Sequence, residues 1–514
     1  MLASFFAIVA VCSAQYAPNW TSLDTRPLPL WYDSAKIGIF LHWGIFSVPS
    51  FGVDSGGASG EWFWWNWQGA KQQEYIDFVA RTEAPSFTYA DYAPRFQAEF
   101  FNATQWLALF KASGAKYIVP TSKHHEGWTN WPSATSFNWN SVDVGPHRDI
   151  IGELAAATKA AGLTFGVYHS LFEWFNPLYL QDKAGGFKAN LSDSAFLQKT
   201  FGELKELTNR YQPELFWSDG DWEAPDSYWN APENFLAWLV NESPVKDTVV
   251  FNDRWGQGDT CHHGCECIRA AASARAPSAH PMPAVTHHAS SPCPPFCPPP
   301  FPPSPPLFFT PAPPAYWTCN DRYLPSGKQG RKWENAFTLD YDSWGYRRNG
   351  RYDAYMTVSA VVSTVVQTVA LGGNALINVG PSHDGTIDPI FADRLLGLGA
   401  WLGVNGAAIY STQPWRAQNE TAAATWFTQG PGLTVNAIFT TWPASGTLTL
   451  ALPVSSSTTT AAMLGFGAVP WAPLTTQGAP GIKVTLPAFA PGAPGSPGAA
   501  PCENAWTIAF ENVA

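Results

Sequence analysis

Charged residues are scarce in this 514-residue chain, at 13% of the total, and the formal net charge is −11. No basic stripe is available to meet a row of phosphates, which argues against a nucleic-acid partner. No segment after the N-terminus approaches the ~20 consecutive apolar residues of a membrane-spanning helix. No glycine-rich dinucleotide fingerprint follows a predicted strand, and the His-Glu-X-X-His spacing of zinc hydrolases is absent. We therefore expect no cofactor, no metal and no membrane span.

Aromatic residues, by contrast, are abundant: they make up 15% of the chain, with 26 tryptophans. An unusually aromatic core accounts for part of this excess. Tyr and Trp rings present a flat apolar face with a polar edge. The apolar faces of sugar rings stack on such surfaces, so the composition favours a carbohydrate ligand.

The N-terminus is typical of a secreted protein. Residues 1–14 predict a signal peptide, with an apolar run from Leu2 to Val11 before Cys12-Ser13-Ala14. We therefore expect a secreted or lysosomal/vacuolar location. Loss of Cys12 would leave seven of the eight cysteines, so at least one is unpaired. Five glycosylation sequons fit the same route, at Asn19, Asn102, Asn190, Asn241 and Asn419.

Two domains are predicted from the periodicity of apolar residues. Between residues 15 and 410, about eight strand-like segments alternate with helix-like ones, which favours a catalytic (β/α)8 barrel. From residue 411 to 514 the pattern changes to a period of two, as in Leu433 to Phe439 and Thr447 to Leu452. This second part is predicted to be an antiparallel β-sandwich.

A proline-rich segment at about 265–315 interrupts the predicted barrel. Sixteen of the 45 prolines lie between Pro277 and Pro314. Such a composition cannot form a helix or a central strand, and it predicts disorder. The segment is either a linker or partner-binding tract, or an intron translated by mistake in the gene model. We favour the second interpretation, because the segment separates two motifs that belong together.

Polar side chains follow five successive predicted barrel strands, at the end where barrel enzymes carry their active sites. The most informative is Asp219, which ends the apolar run Leu215-Phe216-Trp217 and stands among tryptophans. A carboxylate in that position suits the nucleophile of a sugar-cleaving enzyme. His124 and His125 do not predict a metal site, because neighbouring residues of an extended strand point to opposite sides.

Several motifs, in this order, resemble those of glycoside hydrolase family 29 α-L-fucosidases, most closely the animal-type lysosomal or secreted members. The resemblance covers nearly the whole chain apart from the proline-rich insertion. The motifs are Phe40-Leu41-His42-Trp43-Gly44, Gly60-Glu61-Trp62-Phe63, Lys123-His124-His125-Glu126-Gly127, Trp217-Ser218-Asp219-Gly220, Asn252-Asp253-Arg254-Trp255-Gly256, Lys332-Trp333-Glu334, Trp344-Gly345-Tyr346 and Leu371-Gly372-Gly373-Asn374.

The resemblance implies a retaining exo-glycosidase that removes terminal α-L-fucose from a fucosylated glycan of a glycoprotein, glycolipid or polysaccharide. Asp219 matches the nucleophile, and Arg254 is expected to keep it ionised. A fucose-binding protein with impaired catalysis is the alternative, and a homo-oligomer is a further expectation. The positions that match sugar contacts are His42, Glu61, His124, His125, Tyr168, Trp217 and Arg254.

Two carboxyls match the general acid/base of the family. A retaining glycosidase needs this group about 5–5.5 Å from the nucleophile. Asp321 is the preferred candidate and Glu334 the alternative. Cys261 and Cys319 could pair in an oxidising compartment, but the sequence does not establish the disulfide pairing. Because the insertion lies between these cysteines, it puts the placement of Asp321 over Asp219 in question.

Overall fold

The computed structural model describes residues 15–54, 59–229, 231–261, 315–474, 481–489 and 499–514. Eight parallel strands form the first sheet, in the order β6-β5-β4-β3-β2-β1-β8-β7. Their side chains are almost all buried, as expected for strands covered on both faces. The strands are β1 (Ile37–Leu41), β2 (Tyr117–Lys123), β3 (Thr164–Ser170), β4 (Leu215–Asp219), β5 (Val250–Asn252), β6 (Ala315–Tyr316), β7 (Trp333–Thr338) and β8 (Gly373–Val379).

The sheet closes on itself between β6 and β7. Trp317, the residue after β6, forms a parallel bridge with Trp333. Its amide donates to the Lys332 carbonyl and its carbonyl accepts from the Glu334 amide, both at 2.9 Å. The predicted (β/α)8 barrel is therefore confirmed.

Helices cover the outside of the barrel, and side-chain caps fix where several of them begin. The side chains of Asn102, Asp149 and Ser194 each accept a hydrogen bond from a backbone amide of the first turn. The α-helices are α1 (Trp20–Leu23), α2 (Leu30–Ala35), α3 (Gln73–Thr82), α4 (Ala103–Ala112), α5 (Ile150–Ala161), α6 (Pro177–Ala184), α7 (Ala195–Tyr211), α8 (Asp226–Trp229), α9 (Ala231–Asn241), α10 (Val358–Ala370) and α11 (Pro389–Asn405).

The C-terminal region is all β, and the predicted sandwich is confirmed. Antiparallel strands form a six-stranded sheet, β14-β13-β17-β11-β10-β9, and a three-stranded sheet, β12-β16-β15. Phe427, Phe439 and Leu448 lie in the core of this region. The strands are β9 (Gln413–Glu420), β10 (Thr425–Gln429), β11 (Val435–Phe439), β12 (Thr447–Leu450), β13 (Ser455–Met463), β14 (Gly467–Ala468), β15 (Trp471–Pro473), β16 (Ile482–Thr485) and β17 (Trp506–Val513).

The barrel and the sandwich are in contact, since the Trp401 indole of α11 donates to the Ala505 carbonyl at 2.9 Å. The limits of the two domains, 15–410 and 411–514, remain a prediction. The predicted signal peptide at 1–14 lies outside the described residues, as does the predicted insertion apart from residue 315. Within the described ranges, no helix combines the length and apolar character needed to span a membrane.

Candidate active site

Asp219 is the last residue of β4 and lies at the carboxyl end of the barrel. Its Oδ2 accepts a hydrogen bond from the Tyr168 hydroxyl at 2.8 Å, and its Oδ1 accepts one from Arg254 Nη1 at 3.1 Å. Burial raises the pKa of the Asp219 carboxyl, while Arg254 and the Tyr168 hydrogen bond lower it. Arg254 thus acts in the expected direction, but burial outweighs it and the net shift of the pKa is upward.

Asp321 reaches the same guanidinium. Arg254 Nη2 donates to its Oδ1 at 2.8 Å. One planar group therefore joins two carboxylates that are far apart in the chain. Arg254 is itself fixed, because its guanidinium carbon lies 4.6 Å from the centre of the Trp217 ring. The Asp321 side chain is 48% exposed, so it lies at the mouth of the site, whereas Asp219 lies deeper.

Glu334, the alternative candidate for the acid/base, is not brought beside Asp219 and Arg254. It is the second residue of β7, near the amino end of the barrel. Its Oε2 accepts from the Tyr32 and Tyr117 hydroxyls at 2.8 and 2.9 Å, and its Oε1 from the Trp217 indole at 3.0 Å. Burial raises its pKa to about 7. Trp217 precedes Asp219 by two residues, so Glu334 lies one layer deeper, beneath the floor of the site.

His42 follows β1, and its hydrogen-bonding state is set by Asn378. The Asn378 amide nitrogen donates to Thr338 Oγ1 and to the Trp344 carbonyl, which leaves its oxygen 2.8 Å from His42 Nδ1. His42 must therefore carry its proton on Nδ1. Burial lowers the pKa of His42 to about 3, so the ring is neutral and its Nε2 is an acceptor.

His125 is set in the same way by Ser170. The Ser170 hydroxyl donates to the Phe172 carbonyl at 2.7 Å and accepts from His125 Nδ1 at 2.7 Å. Burial lowers the pKa of His125 well below its ordinary value. Its Nε2 lies 3.6 Å from Asp219 Oδ2, too far for a direct hydrogen bond. Two acceptors that face each other across this gap suit a hydroxyl donor, such as that of a sugar.

The rings of His124 and His125 lie side by side, with their centres 4.2 Å apart. The expectation that they point to opposite sides was wrong, because β2 ends at Lys123 and both rings belong to the turn that follows. His124 Nδ1 lies 3.1 Å from Glu126 Oε2. Burial lowers the pKa of His124 to about 3 and raises that of Glu126 to about 8. Within the described ranges, no group of three or more His, Cys, Asp or Glu residues could hold a metal ion.

Glu61 is held on one side only. Its Oε2 accepts from the amides of Trp344 and Gly345 at 3.0 and 2.8 Å, and from the Ser343 hydroxyl at 3.2 Å. Its Oε1 is buried and has no hydrogen-bond partner in the part of the chain described. Burial raises the pKa of Glu61 to about 7. Such an unsatisfied oxygen is suited to bind a hydroxyl of a ligand.

The floor of the site is aromatic. Tyr168 and Trp217 stack with ring centres 5.7 Å apart. Phe40 packs 5.1 Å from Trp217, and His42 lies 5.3 Å from Tyr168. An apolar floor below polar walls matches the two kinds of surface that a deoxy sugar presents.

The sequence did not indicate the importance of two residues that follow Asp219. Trp222 is 41% exposed and lies parallel to Trp62, at 6.4 Å, with its ring 5.5 Å from that of His125. Asp221 is buried and accepts from the Thr260 hydroxyl at 3.1 Å. The only sequence signal for Trp222 was its place beside the acidic turn.

Comparisons with known proteins identify the family of this chain. The family model Alpha-L-fucosidase matches residues 5–283 and 310–407, and the model Alpha-L-fucosidase C-terminal domain matches 418–511. The α-L-fucosidase of Branchiostoma floridae is 48% identical, over 99% of this chain and 98% of the relative. The plasma α-L-fucosidase of Rattus norvegicus is 46% identical, over 98% and 96%.

Solved structures support the same assignment. The crystal structure of Thermotoga maritima α-fucosidase in complex with a mechanism-based inhibitor has a TM-score of 0.70 and 28% identity, over 96% of this chain and 99% of that one. The family model matches well over half of the chain, and the relatives span nearly all of it. The chain therefore belongs to the glycoside hydrolase family 29 α-L-fucosidases and is a glycoside hydrolase.

Proposed function

We propose that this enzyme hydrolyses terminal α-L-fucose with retention of configuration, through a covalent fucosyl-enzyme. The observation that carries the proposal is the Arg254 guanidinium, which binds Asp219 and Asp321 at once. A retaining glycosidase needs two carboxyls close together, one as nucleophile and one as acid/base. Asp219 is buried and takes the first role, and the half-exposed Asp321 takes the second.

In the first step Asp219 attacks the anomeric carbon as the bond to the leaving oxygen breaks. Asp321 gives its proton to that oxygen. In the second step Asp321 takes a proton from water, the water oxygen attacks the same carbon, and Asp219 leaves as a carboxylate. Asp321 ends protonated, as it began, and two inversions give net retention.

The lining supports fucose as the sugar. His42 and His125 offer acceptor nitrogens, and Glu61 offers an unsatisfied oxygen. These groups suit sugar hydroxyls, and the aromatic floor suits the methyl group. His124, Tyr168 and Trp217 complete the proposed set of contacts, together with Arg254. No observation on the described residues favours a binding protein without turnover.

The natural substrate is a fucosylated glycan of a glycoprotein, glycolipid or polysaccharide. A relative named for plasma supports export from the cell, and we propose a secreted or lysosomal/vacuolar location. A homo-oligomer remains a prediction, which light scattering of the purified protein would test.

The proline-rich segment is proposed to be foreign to the enzyme. The family model leaves residues 284–309 unmatched. Sequencing the transcript across codons 264 to 316 tests this proposal. A spliced message that lacks the segment is expected, and one that encodes it would overturn the idea of a retained intron.

The roles are tested with three variants. Asp321→Asn should lower kcat/KM for an unactivated alkyl α-L-fucoside by ~10²–10⁴-fold but spare an activated aryl fucoside. Azide should restore turnover of the aryl fucoside by Asp321→Asn and form α-L-fucosyl azide, because azide inverts the β-linked fucosyl-enzyme. Asp219→Gly should abolish activity on both substrates. Glu334→Gln is the control, because this residue lies beneath Trp217, and it should show no dependence on the leaving group.

NMR of the first product tests retention, since α-L-fucose must appear before mutarotation. A β product would contradict the double displacement. Normal hydrolysis of the alkyl fucoside by Asp321→Asn would exclude Asp321 as the acid.

A further inference from the structure

Asp253 lies between the last residue of β5 and Arg254, and its side chain is fully buried. Its Oδ1 accepts hydrogen bonds from the backbone amide and the hydroxyl of Thr318, both at 2.8 Å. Its Oδ2 accepts from the backbone amide of Cys261 at 2.7 Å. One carboxylate therefore holds both ends of the chain that flank residues 262–314.

The same two ends are joined covalently. Cys261 and Cys319 form a disulfide, with Cα atoms 5.1 Å apart, across a sequence separation of 58. The structure thus gives the pairing that the sequence left open. The disulfide closes a loop of chain between Cys261 and Cys319, and Asp253 binds both ends of that loop. These contacts involve only the ends of the loop, so they do not depend on its length.

The segment 316–322, which contains Cys319 and Asp321, is also tied to the two neighbouring strands. Tyr316 pairs with Asn252 of β5, and the amide of Arg322 donates to the Ala336 carbonyl of β7 at 2.8 Å. Asp321 is therefore carried by a short stretch that is tied to both neighbouring strands. Arg254 adds a further tie, because its Nε donates to the Thr318 carbonyl at 3.3 Å.

We propose that Asp253 and the Cys261–Cys319 disulfide act as a clamp that positions Asp321 over Asp219, whatever the length of chain between Cys261 and Ala315. Asp253 is a positioning residue, since it acts through Asp321 and does not touch the sugar. The proposal rests on the proposed role of Asp321 as the acid/base. The clamp answers the question that the insertion raised. Asp321 is held by the contacts of Thr318 and Cys319 with Asp253 and Cys261, and its position does not depend on the insertion.

The physical reason lies in the acceptors of Asp253. An ionised carboxylate can accept all three hydrogen bonds, and bonds to a charged acceptor are the stronger kind. An asparagine keeps the shape but turns one oxygen into a donor, which then faces an N–H group. The segment must shift to relieve this contact. Proton transfer requires hydrogen-bond distance, so a shift of about 1 Å at Asp321 weakens acid catalysis.

The test compares Asp253→Asn with the wild type on two substrates, an activated aryl fucoside and an alkyl α-L-fucoside. The value measured is kcat/KM, which reports the first chemical step. In that step an alkoxide leaving group needs a proton from the acid, whereas an activated aryl leaving group does not. We expect a loss of about tenfold or more on the alkyl fucoside and less than about twofold on the aryl fucoside. The double variant Cys261→Ser, Cys319→Ser should show the same selectivity. If Asp253→Asn does not fold, Thr318→Val, which removes the hydroxyl donor to Asp253, takes its place.

The matched control is Asp149→Asn. Asp149 caps α5 by accepting from the Gly152 amide at 2.9 Å, and its other carboxylate oxygen accepts from the Tyr211 hydroxyl at 2.7 Å. Neither partner belongs to the site, and Asn caps a helix about as well as Asp, so this variant should show no selectivity between the two substrates. If kcat/KM falls equally on both substrates in Asp253→Asn and in the double serine variant, the proposed clamp is overturned. Asp321→Asn is run in parallel. If that variant is not selective either, the assignment of the acid has failed; if it alone is selective, only the clamp has failed.

Discussion

Replacing Lys123 with methionine should destabilise this enzyme far more than removing a lysine from an exposed ion pair. Lys123 is fully buried, with its Nζ 2.8 Å from Glu173 Oε1 and 2.9 Å from Glu203 Oε2. Lys199 contacts the same two carboxylates. Two lysines thus neutralise two glutamates behind the turn that carries His124.

The expected cost follows from the charge that would be left. Burial alone raises the pKa of Glu203, but the two lysines outweigh it and hold the pKa well below its ordinary value. Without Lys123, one buried negative charge has no partner, and breaking such a pair costs about 3–5 kcal/mol. Because Lys199 remains, we expect the lower end, about 3 kcal/mol.

The measurement is guanidinium unfolding of Lys123→Met beside Lys183→Met. Lys183 pairs with Glu223 at 2.6 Å, but its side chain is 43% exposed, so this control should lose no more than about 1 kcal/mol. An equal decrease in the free energy of unfolding in the two variants would refute the reasoning, since the buried cluster would then stabilise the fold no more than a surface ion pair does. Activity at a temperature where Lys123→Met is folded shows whether the turn also shifts.

Three further predictions follow from the site. The pKa of Glu61 is raised from 4.5 to about 7, and that of Glu126 to about 8, so the unfolded state releases these protons first as pH rises. The melting temperature should therefore fall between pH 7 and pH 8, where the buried histidines are neutral in both states and do not oppose the effect, and a rise over that range would contradict it. Glu334→Gln should keep its activity, whereas Glu334→Leu leaves three buried donors unpaired and should lose at least about 3 kcal/mol on chemical unfolding. Trp222→Ala should raise KM about threefold to tenfold for a fucosylated oligosaccharide and leave that for a small aryl fucoside unchanged, as tested by steady-state kinetics.

The barrel and the place of Asp219 could be predicted from the sequence because both depend on local patterns. A buried strand is a short apolar run, and the residue that ends it lies at the catalytic face whatever the rest of the chain does. Arg254 follows β5 in the same way. The sequence also identified the C-terminal sandwich, because a period of two marks strands with one buried face.

The different surroundings of Asp321 and Glu334 became visible only in the tertiary structure. Both residues are carboxylic acids, and each stands in a motif that resembles the family. Glu334 lies near the start of β7, at the amino end of the barrel, whereas Asp321 lies on a loop at the carboxyl end. The contact of Asp321 with Arg254 joins residues 67 positions apart, which no local pattern records.

The hydrogen-bonding state of the histidines was also beyond the sequence. The acceptor role of His42 Nε2 depends on Asn378, which is 336 positions away and is itself oriented by two other groups. The sequence by itself determined which residues end the strands, because that is a matter of local periodicity. Only the tertiary structure decided which atoms donate, which accept and which carboxyl shares Arg254 with Asp219, because those properties depend on contacts between distant segments.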